Sequence, residues 1–267
     1  MSALHEAFAR SRAEGRAALI GYLPSGFPSL AEGIDLARAI VAAGVDVVEV
    51  GLPYSDPLMD GPVIQEAVHR ALLGGSNVAR VLETVGAVAA TGAPSLVMSY
   101  WNPIERIGTD AFAARLSAAG GVGVITPDLT PEEADDWVSA TDAAHLDRVF
   151  LVAPSSTDER IAAVAQVTSG FVYAASTMGV TGARTAVGSQ ARELVSRVRD
   201  ATDLPVAVGL GVSTGAQAAE VAGYADGVIV GSAFVARIQS APSHADAVTA
   251  VKDLAAELAE GVRHPAR

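Results

Sequence analysis

The chain alternates between short apolar runs and longer segments in which apolar positions recur with helical spacing. Each run has the length of a strand, is rich in β-branched residues, and is closed by Gly, Pro or a polar residue. Eight such runs are present, at residues 17–21, 45–50, 95–99, 122–126, 148–152, 171–175, 205–208 and 227–230. We expect each of them to form a strand.

Helical segments follow the runs. They cover residues 30–43, 62–73, 78–90, 110–119, 131–143, 158–167, 189–200 and 215–222, and two more flank the set at 2–14 and 244–260. Eight β–α alternations predict a parallel sheet covered by helices. An open, doubly wound sheet also fits, but eight repeats in 267 residues favour closure. We therefore expect an α/β fold, a single (β/α)8 TIM barrel domain over residues 1–267, with an extra N-terminal helix and a short helix after the eighth strand.

Composition narrows the possible functions. A formal net charge of −12 disfavours nucleic acid and anionic membranes as partners, because an acidic field repels both. An anionic ligand would therefore need a local binding device. The absence of cysteine excludes disulfides and thiolate chemistry and gives no sign of secretion. The start lacks signal-peptide features and no apolar run approaches ~20 residues, so we expect a soluble, cytoplasmic protein.

Glycine-rich turns follow the last three predicted strands. After the eighth run, Gly231-Ser232 leads into a short helix, where Ser232 can cap the helix and backbone N–H groups can face an anion. An ordinary N-cap would explain this pair equally well. Residues 209–211 and 179–182 add glycines after the seventh and sixth runs, where the backbone can approach a ligand closely. Three such turns at neighbouring strand ends predict a phosphate site.

Glu49 is an acid within the second apolar run. By strand alternation it shares a face with Val47, while Val48 and Val50 share the other, and both faces of a barrel strand are covered. A buried carboxylate is costly unless it is paired or protonated. A structural ion pair with an arginine would explain it, but its position at a strand end favours a functional carboxyl. Burial would raise its pKa and allow it to donate a proton.

Asp60 ends the proline-rich loop that follows this strand. The next predicted helix begins at Pro62, so the position taken alone favours Asp60 as the N-cap of that helix.

Residues 49–65, EVGLPYSDPLMDGPVIQ, closely resemble the signature of the tryptophan synthase alpha chain family. The likeness continues in order at 98–103, 127–129, 179–182 and 231–232, so it covers nearly the whole chain. The resemblance implies a (β/α)8 barrel that splits indole-3-glycerol phosphate into indole and glyceraldehyde 3-phosphate, in the biosynthesis of L-tryptophan.

The resemblance also assigns roles to the two acids. The glutamate that matches Glu49 is the family's general acid, which protonates C3 of the indole and also takes up the hydroxyl proton of the glycerol chain. The aspartate that matches Asp60 accepts a hydrogen bond or proton from the indole N–H. Protonation at C3 makes the indole an electron sink, and a carboxylate near the ring nitrogen stabilises the developing positive charge.

Binding residues follow from the same resemblance. Backbone groups hold the phosphate at positions that match Gly182, Gly211, Gly231 and Ser232. Side chains that match the indole pocket are Tyr22, Met98, Tyr173 and Leu210. Packing in the barrel core is the alternative explanation for these four, and is nearly as good for Met98.

The family passes indole through a tunnel to a pyridoxal-phosphate-dependent beta chain, within an α2β2 complex. Four positions match the loops on the contact and signalling side: Asp56, Pro57, Asn102 and Asp128. A solvated turn would also explain Asp56. The resemblance therefore implies pyridoxal phosphate on the partner and no cofactor on this chain.

Three positions depart from the family's pattern. Thr177 stands where arginine is frequent, Tyr54 where phenylalanine is frequent, and Thr130 where proline is frequent. The first bears on how the loop after the sixth strand closes; the two acids are unaffected.

Other lyases on phosphate-binding barrels fit the residues less well. Lys252 is the only lysine and lies in the C-terminal helical segment, which argues against a Schiff-base aldolase and against indole-3-glycerol phosphate synthase. The five histidines are scattered and none ends a predicted strand, which argues against a metal-dependent aldolase. Two alternatives stay open: a free-standing lyase with the same two acids, and a non-catalytic activator of a beta chain, which would need neither.

Overall fold

The computed structural model describes residues 2–175, 184–209 and 211–266. Within them, parallel strands form one sheet in the order β5-β4-β3-β2-β1-β9-β8-β7-β6. The strands are β1 (Ala18–Pro24), β2 (Val47–Gly51), β3 (Ser95–Met98), β4 (Gly123–Ile125), β5 (Asp147–Val149), β6 (Leu151–Val152), β7 (Val172–Ala175), β8 (Val206–Gly209) and β9 (Gly227–Val230).

The two ends of this order are the two halves of one strand. β5 and β6 are separated only by Phe150, and β5 pairs with β4 while β6 pairs with β7. The Phe150 carbonyl accepts a hydrogen bond from the Tyr173 N–H at 3.1 Å, so the pairing continues across the break. When β5 and β6 are counted as one strand, the sheet has eight strands and closes on itself. The (β/α)8 barrel predicted from the alternation is therefore confirmed.

Helices surround the sheet close to their predicted bounds. They are α1 (Ala3–Ala13), α2 (Leu30–Ala42), α3 (Pro62–Leu73), α4 (Val78–Ala89), α5 (Trp101–Ile107), α6 (Thr109–Ala118), α7 (Asp135–Ala143), α8 (Asp158–Val167), α9 (Arg184–Ala201), α10 (Gly215–Ala222), α11 (Ser232–Ser240) and α12 (His244–Arg263). In the described ranges, no helix combines the length and the apolar character needed to span a membrane.

The structure differs from the predicted helices at three places. Helix α9 begins at Arg184, five residues before the predicted start at 189. The segment 131–143 is split into a 3-10 turn, Pro131–Glu133, and α7. Helix α5 was not predicted, because its first residues are Trp, Asn and Pro. The Asp128 carboxylate accepts a hydrogen bond from the Trp101 N–H at 2.8 Å, and so caps α5 from a different loop.

The sheet separates two apolar cores. Val48 and Val50 face outward into the core between sheet and helices, whereas Val47 belongs to the core inside the barrel. Glu49 alternates with Val48 and Val50, so it points inward, on the face that it was predicted to share with Val47.

Helix α1 closes the amino-terminal end of the barrel. Leu4 and Phe8 are buried in the inner core, and Gly170 and Gly227 lie against them. A Cβ atom at Gly170 would lie 2.9 Å from Leu4 Cδ2, and one at Gly227 would lie 3.2 Å from Phe8 Cε1. With this end closed, a ligand can enter the barrel only from the carboxyl ends of the strands.

We predict that Leu4→Ala destabilises the protein by about 2–5 kcal/mol, because it leaves a cavity under a fully buried side chain. Arg10→Ala, on the exposed side of the same helix, should change stability by less than roughly 0.5 kcal/mol. Urea unfolding measures both. Equal losses in the two variants would show that α1 is not an integral part of the core.

Candidate active site

A cavity of about 180 Å³ opens at the carboxyl ends of the strands. It brings together eight residues that the sequence assigned to catalysis or binding: Tyr22, Glu49, Asp60, Met98, Tyr173, Gly211, Gly231 and Ser232. Gly182 and Leu210 lie outside the described residues. The two acids, the aromatic side chains and the glycine turns therefore meet in one place.

Glu49 lies at the base of this cavity, and only 1% of its surface is exposed. Its Oε1 atom is buried and has no hydrogen-bond partner in the described part of the chain. Burial raises the pKa of Glu49 to about 8, and no opposite charge among the described side chains offsets this effect. Within those residues Glu49 forms no ion pair with an arginine, so the structure does not support that alternative.

Asp60 is half-buried at the edge of the same cavity. Gly61, not Asp60, is the N-cap of α3, and no side chain caps that helix end. The N-cap interpretation of Asp60 is therefore wrong, and its carboxyl faces the cavity. Burial raises the pKa of Asp60 to about 6.

The loop that carries Asp60 is held on two sides. The Tyr100 hydroxyl accepts a hydrogen bond from the Met59 N–H at 2.9 Å. The Gln65 side-chain amide donates a hydrogen bond to the Asp60 carbonyl oxygen at 2.8 Å. These bonds fix the backbone on both sides of the Asp60 carboxyl and leave that carboxyl free to meet a ligand.

Because the two acids are buried to different extents, they have different protonation states. At neutral pH, Glu49 is largely protonated because its pKa is about 8. Asp60 is largely ionised because its pKa is about 6. One cavity therefore presents a proton donor and a proton acceptor at the same pH.

The other side of the cavity is built from backbone. Gly231 is the N-cap of α11 and Ser232 is the first residue of that helix, with no side-chain cap. The prediction that Ser232 caps the helix is therefore wrong, and the first N–H groups of α11 are left without a side-chain partner. Gly211, with φ +65°, adds a backbone turn that favours glycine. A helix N-terminus with uncapped N–H groups is suited to an anion.

A family model described as "Tryptophan synthase alpha chain" matches residues 8–263. The tryptophan synthase alpha chain of Thermobifida fusca (strain YX) is 60% identical over 270 residues, covering 100% of each chain. That of Mycobacteroides abscessus is 59% identical over 260 residues, covering 97% of each. Among solved structures, one of Mycobacterium tuberculosis tryptophan synthase has a TM-score of 0.91 at 53% identity, covering 98% of each chain.

The chain belongs to the tryptophan synthase alpha chain family. Its full length is matched at high identity, so its activity is that of the family: a carbon–carbon lyase that cleaves indole-3-glycerol phosphate. The findings favour neither the free-standing lyase nor the non-catalytic activator that the sequence left open.

The positions matched to the family's beta-chain contacts do not line the cavity. Asp56 and Asn102 are exposed and Pro57 is half-buried. The exposed Asp128 side chain caps α5, and partial burial of its carboxyl raises its pKa. Next to Asp56, Leu58 is 90% exposed and Met59 46% exposed, so this loop presents two adjacent large apolar side chains at the surface.

Four residues of the cavity were not singled out from the sequence: Met59, Gly61, Ile64 and Ile229. Gly209, which belongs to a glycine turn that the sequence predicted, also lines the cavity. Ile229 carried a usable signal, because alternation along β9 places it on the inward face. Met59 and Ile64 reach the cavity through the fold of the loop and of α3, which periodicity alone does not reveal.

The burial of Glu49 predicts a pH-dependent cost in stability. The folded-state pKa of about 8 exceeds the ordinary value of 4.5, so the native state binds the extra proton and loses stability as pH rises between these values. We expect the stability of Glu49→Gln relative to the wild type to increase by about 1.4 kcal/mol per pH unit in this window.

Denaturant unfolding at several pH values measures this slope, which does not depend on any constant effect of the amide. Glu105→Gln, at an exposed position, is the matched control and should follow the wild type. A difference between Glu49→Gln and wild type that stays constant with pH would contradict the burial of an uncompensated carboxyl.

Proposed function

We propose that Glu49 and Asp60 carry out the cleavage of indole-3-glycerol phosphate as an acid–base pair. The observation that supports this proposal is that one cavity holds both carboxyls, with pKa values raised to about 8 and about 6. The residues that the resemblance pointed to thus have the protonation states that the chemistry needs.

The proposed reaction begins with proton transfer from Glu49 to C3 of the indole ring. The ring becomes an iminium-like cation, which the Asp60 carboxylate stabilises by accepting a hydrogen bond from the ring N–H. The Glu49 carboxylate then takes the hydroxyl proton from the adjacent glycerol carbon. The C–C bond breaks, its electron pair returns to the ring, and the carbon becomes the aldehyde of glyceraldehyde 3-phosphate. Glu49 ends protonated again, so the cycle is balanced without a cofactor on this chain.

The phosphate is proposed to bind at the N-terminus of α11, at Gly231 and Ser232, with Gly211 nearby. Uncapped N–H groups and the helix dipole supply local positive potential there, which a chain with net charge −12 must provide locally. Gly182 and Leu210 are proposed to complete the phosphate and indole contacts, as the family resemblance implies. Tyr22, Met98 and Tyr173 also line the cavity and are proposed to hold the indole ring.

The chain is proposed to pair with a tryptophan synthase beta chain, in an α2β2 complex in which the partner carries pyridoxal phosphate. Similar chains are found in solved structures of Mycobacterium tuberculosis tryptophan synthase. The apolar surface of the loop 52–61, next to Asp56 and Pro57, supports this proposal because exposed apolar patches are typical of contact sites. Asn102 and Asp128 are proposed to belong to the same surface, and the complex to be cytoplasmic.

We predict that Glu49→Gln lowers the rate of indole release by at least about 10³-fold while substrate still binds, because the amide cannot donate a proton to carbon. Asp60→Asn should cost roughly 3 kcal/mol of barrier, or about 10²-fold, because a neutral amide stabilises the cation less well. Indole release from indole-3-glycerol phosphate, with and without a beta chain, measures both.

The pH profile of kcat/KM provides the control. Activity should fall below about pH 6 as Asp60 is protonated and above about pH 8 as Glu49 is ionised. Asp60→Asn should lose the acidic limb alone. Near-normal turnover of Glu49→Gln, or an acidic limb that persists in Asp60→Asn, would overturn the assigned roles.

We predict that Leu58→Asp weakens binding of a beta chain by at least about tenfold, because it places a charge in an apolar contact. Leu73→Asp is the matched control, since Leu73 is 76% exposed at the far end of α3. Calorimetric titration with purified beta chain measures the affinities. If the wild type shows no binding, the chain acts alone; if both variants bind equally, the contact lies elsewhere.

A further inference from the structure

Tyr22 is enclosed by glycines on both neighbouring strands. It lies in β1, which pairs with β2 on one side and β9 on the other. Gly51 ends β2 and Gly231 follows β9. A Cβ atom at Gly231 would lie 3.2 Å from Tyr22 Cδ1, and one at Gly51 would lie 2.7 Å from Tyr22 Cζ, with the hydroxyl oxygen nearer still. The ring therefore occupies the space that side chains at both positions would need.

This arrangement places the two ends of Tyr22 at different parts of the site. The Cβ end lies beside Gly231, at the helix terminus assigned to the phosphate, and the hydroxyl lies over Gly51, two residues after Glu49. Tyr22 is 6% exposed and lines the cavity. Packing at both ends fixes the ring, so its hydroxyl cannot easily move aside for a ligand.

The hydroxyl is also a free polar group. Among the described residues, it has no hydrogen-bond partner. Burial, together with the negative charges of Asp60 and Glu49, raises the pKa of Tyr22 well above 10. The side chain is therefore a neutral phenol throughout the working pH range.

We propose that the Tyr22 hydroxyl is a specificity-determining group that restricts the aromatic ring of the substrate at the edge facing Gly51. This inference rests on the proposed function, which places the indole ring in this cavity. A methyl group on that edge would meet a ring that cannot yield, and would bury the hydroxyl against an apolar group. Both effects favour the unsubstituted ring. The residue acts on selectivity, whereas the two carboxyls act on the chemistry.

The test compares kcat/KM for indole-3-glycerol phosphate with that for its four isomers methylated at ring carbons 4 to 7. Tyr22→Phe removes only the hydroxyl and should raise the methyl-to-parent ratio for at least one isomer by about tenfold, a typical range for one methyl group in an apolar pocket. Tyr224→Phe, at a buried tyrosine outside the cavity, is the control and should leave every ratio unchanged. Unchanged ratios in Tyr22→Phe would overturn the proposal.

A second pair of variants tests the position of the hydroxyl. Gly51→Ala should raise KM for the parent substrate, because the new methyl group displaces the Tyr22 ring into the cavity. Adding Tyr22→Phe should recover part of this loss, since it removes the atom nearest to the new methyl group. Strictly additive effects would overturn the proposed geometry. All these ratios come from active enzymes, so their failure is distinct from a failure of the acid role, which the Glu49→Gln variant tests.

Discussion

The site depends on one constraint, which is that a carboxyl group is held inside an apolar barrel without a compensating charge. Glu49 shares the inward face of β2 with Val47, and its Oε1 atom has no partner in the described part of the chain. Burial in this apolar surrounding disfavours the charged form and keeps the carboxyl protonated at neutral pH, at the expense of stability. The closed sheet and helix α1 cover Glu49 from the amino-terminal end of the barrel.

A single strand and its loop supply both acids in different environments. Glu49 lies in β2, whereas Asp60 follows on a loop closer to solvent, and burial raises its pKa only to about 6. Hydrogen bonds from the Met59 N–H to Tyr100 and from Gln65 to the Asp60 carbonyl hold that loop in place. The exposed Leu58 side chain lies two residues before Asp60. The proposed proton acceptor, Asp60, and the exposed apolar side chain of Leu58 therefore lie in one short segment.

Periodicity was sufficient to predict the barrel, because strand and helix patterns depend on local burial that alternation records. It failed where a distant group decides the local structure. Helix α5 begins with Trp, Asn and Pro and is capped by Asp128 from another loop, which no local pattern shows. The local sequence favours Asp60 as a helix cap, but Gly61 has that position. Strand alternation and burial already favoured a functional Glu49, and the motif resemblance added the role of Asp60. Only the tertiary structure shows that Glu49 Oε1 has no partner among the described residues and that the two acids share a cavity.

The chain and its phosphorylated substrate are both negatively charged and repel each other. Backbone groups can supply the local attraction that binding needs. A net charge of −12 repels a phosphate at long range, and the only lysine, Lys252, is exposed on α12 and does not line the cavity. Helix N-terminal N–H groups act only within about one turn, so α11 can attract the phosphate locally without altering the field elsewhere. A lysine in the same place would add a full positive charge close to Glu49, which would lower the pKa of that carboxyl and ionise the acid. Backbone dipoles at Gly231 and Ser232 can thus provide an anion site that is compatible with a buried, protonated Glu49.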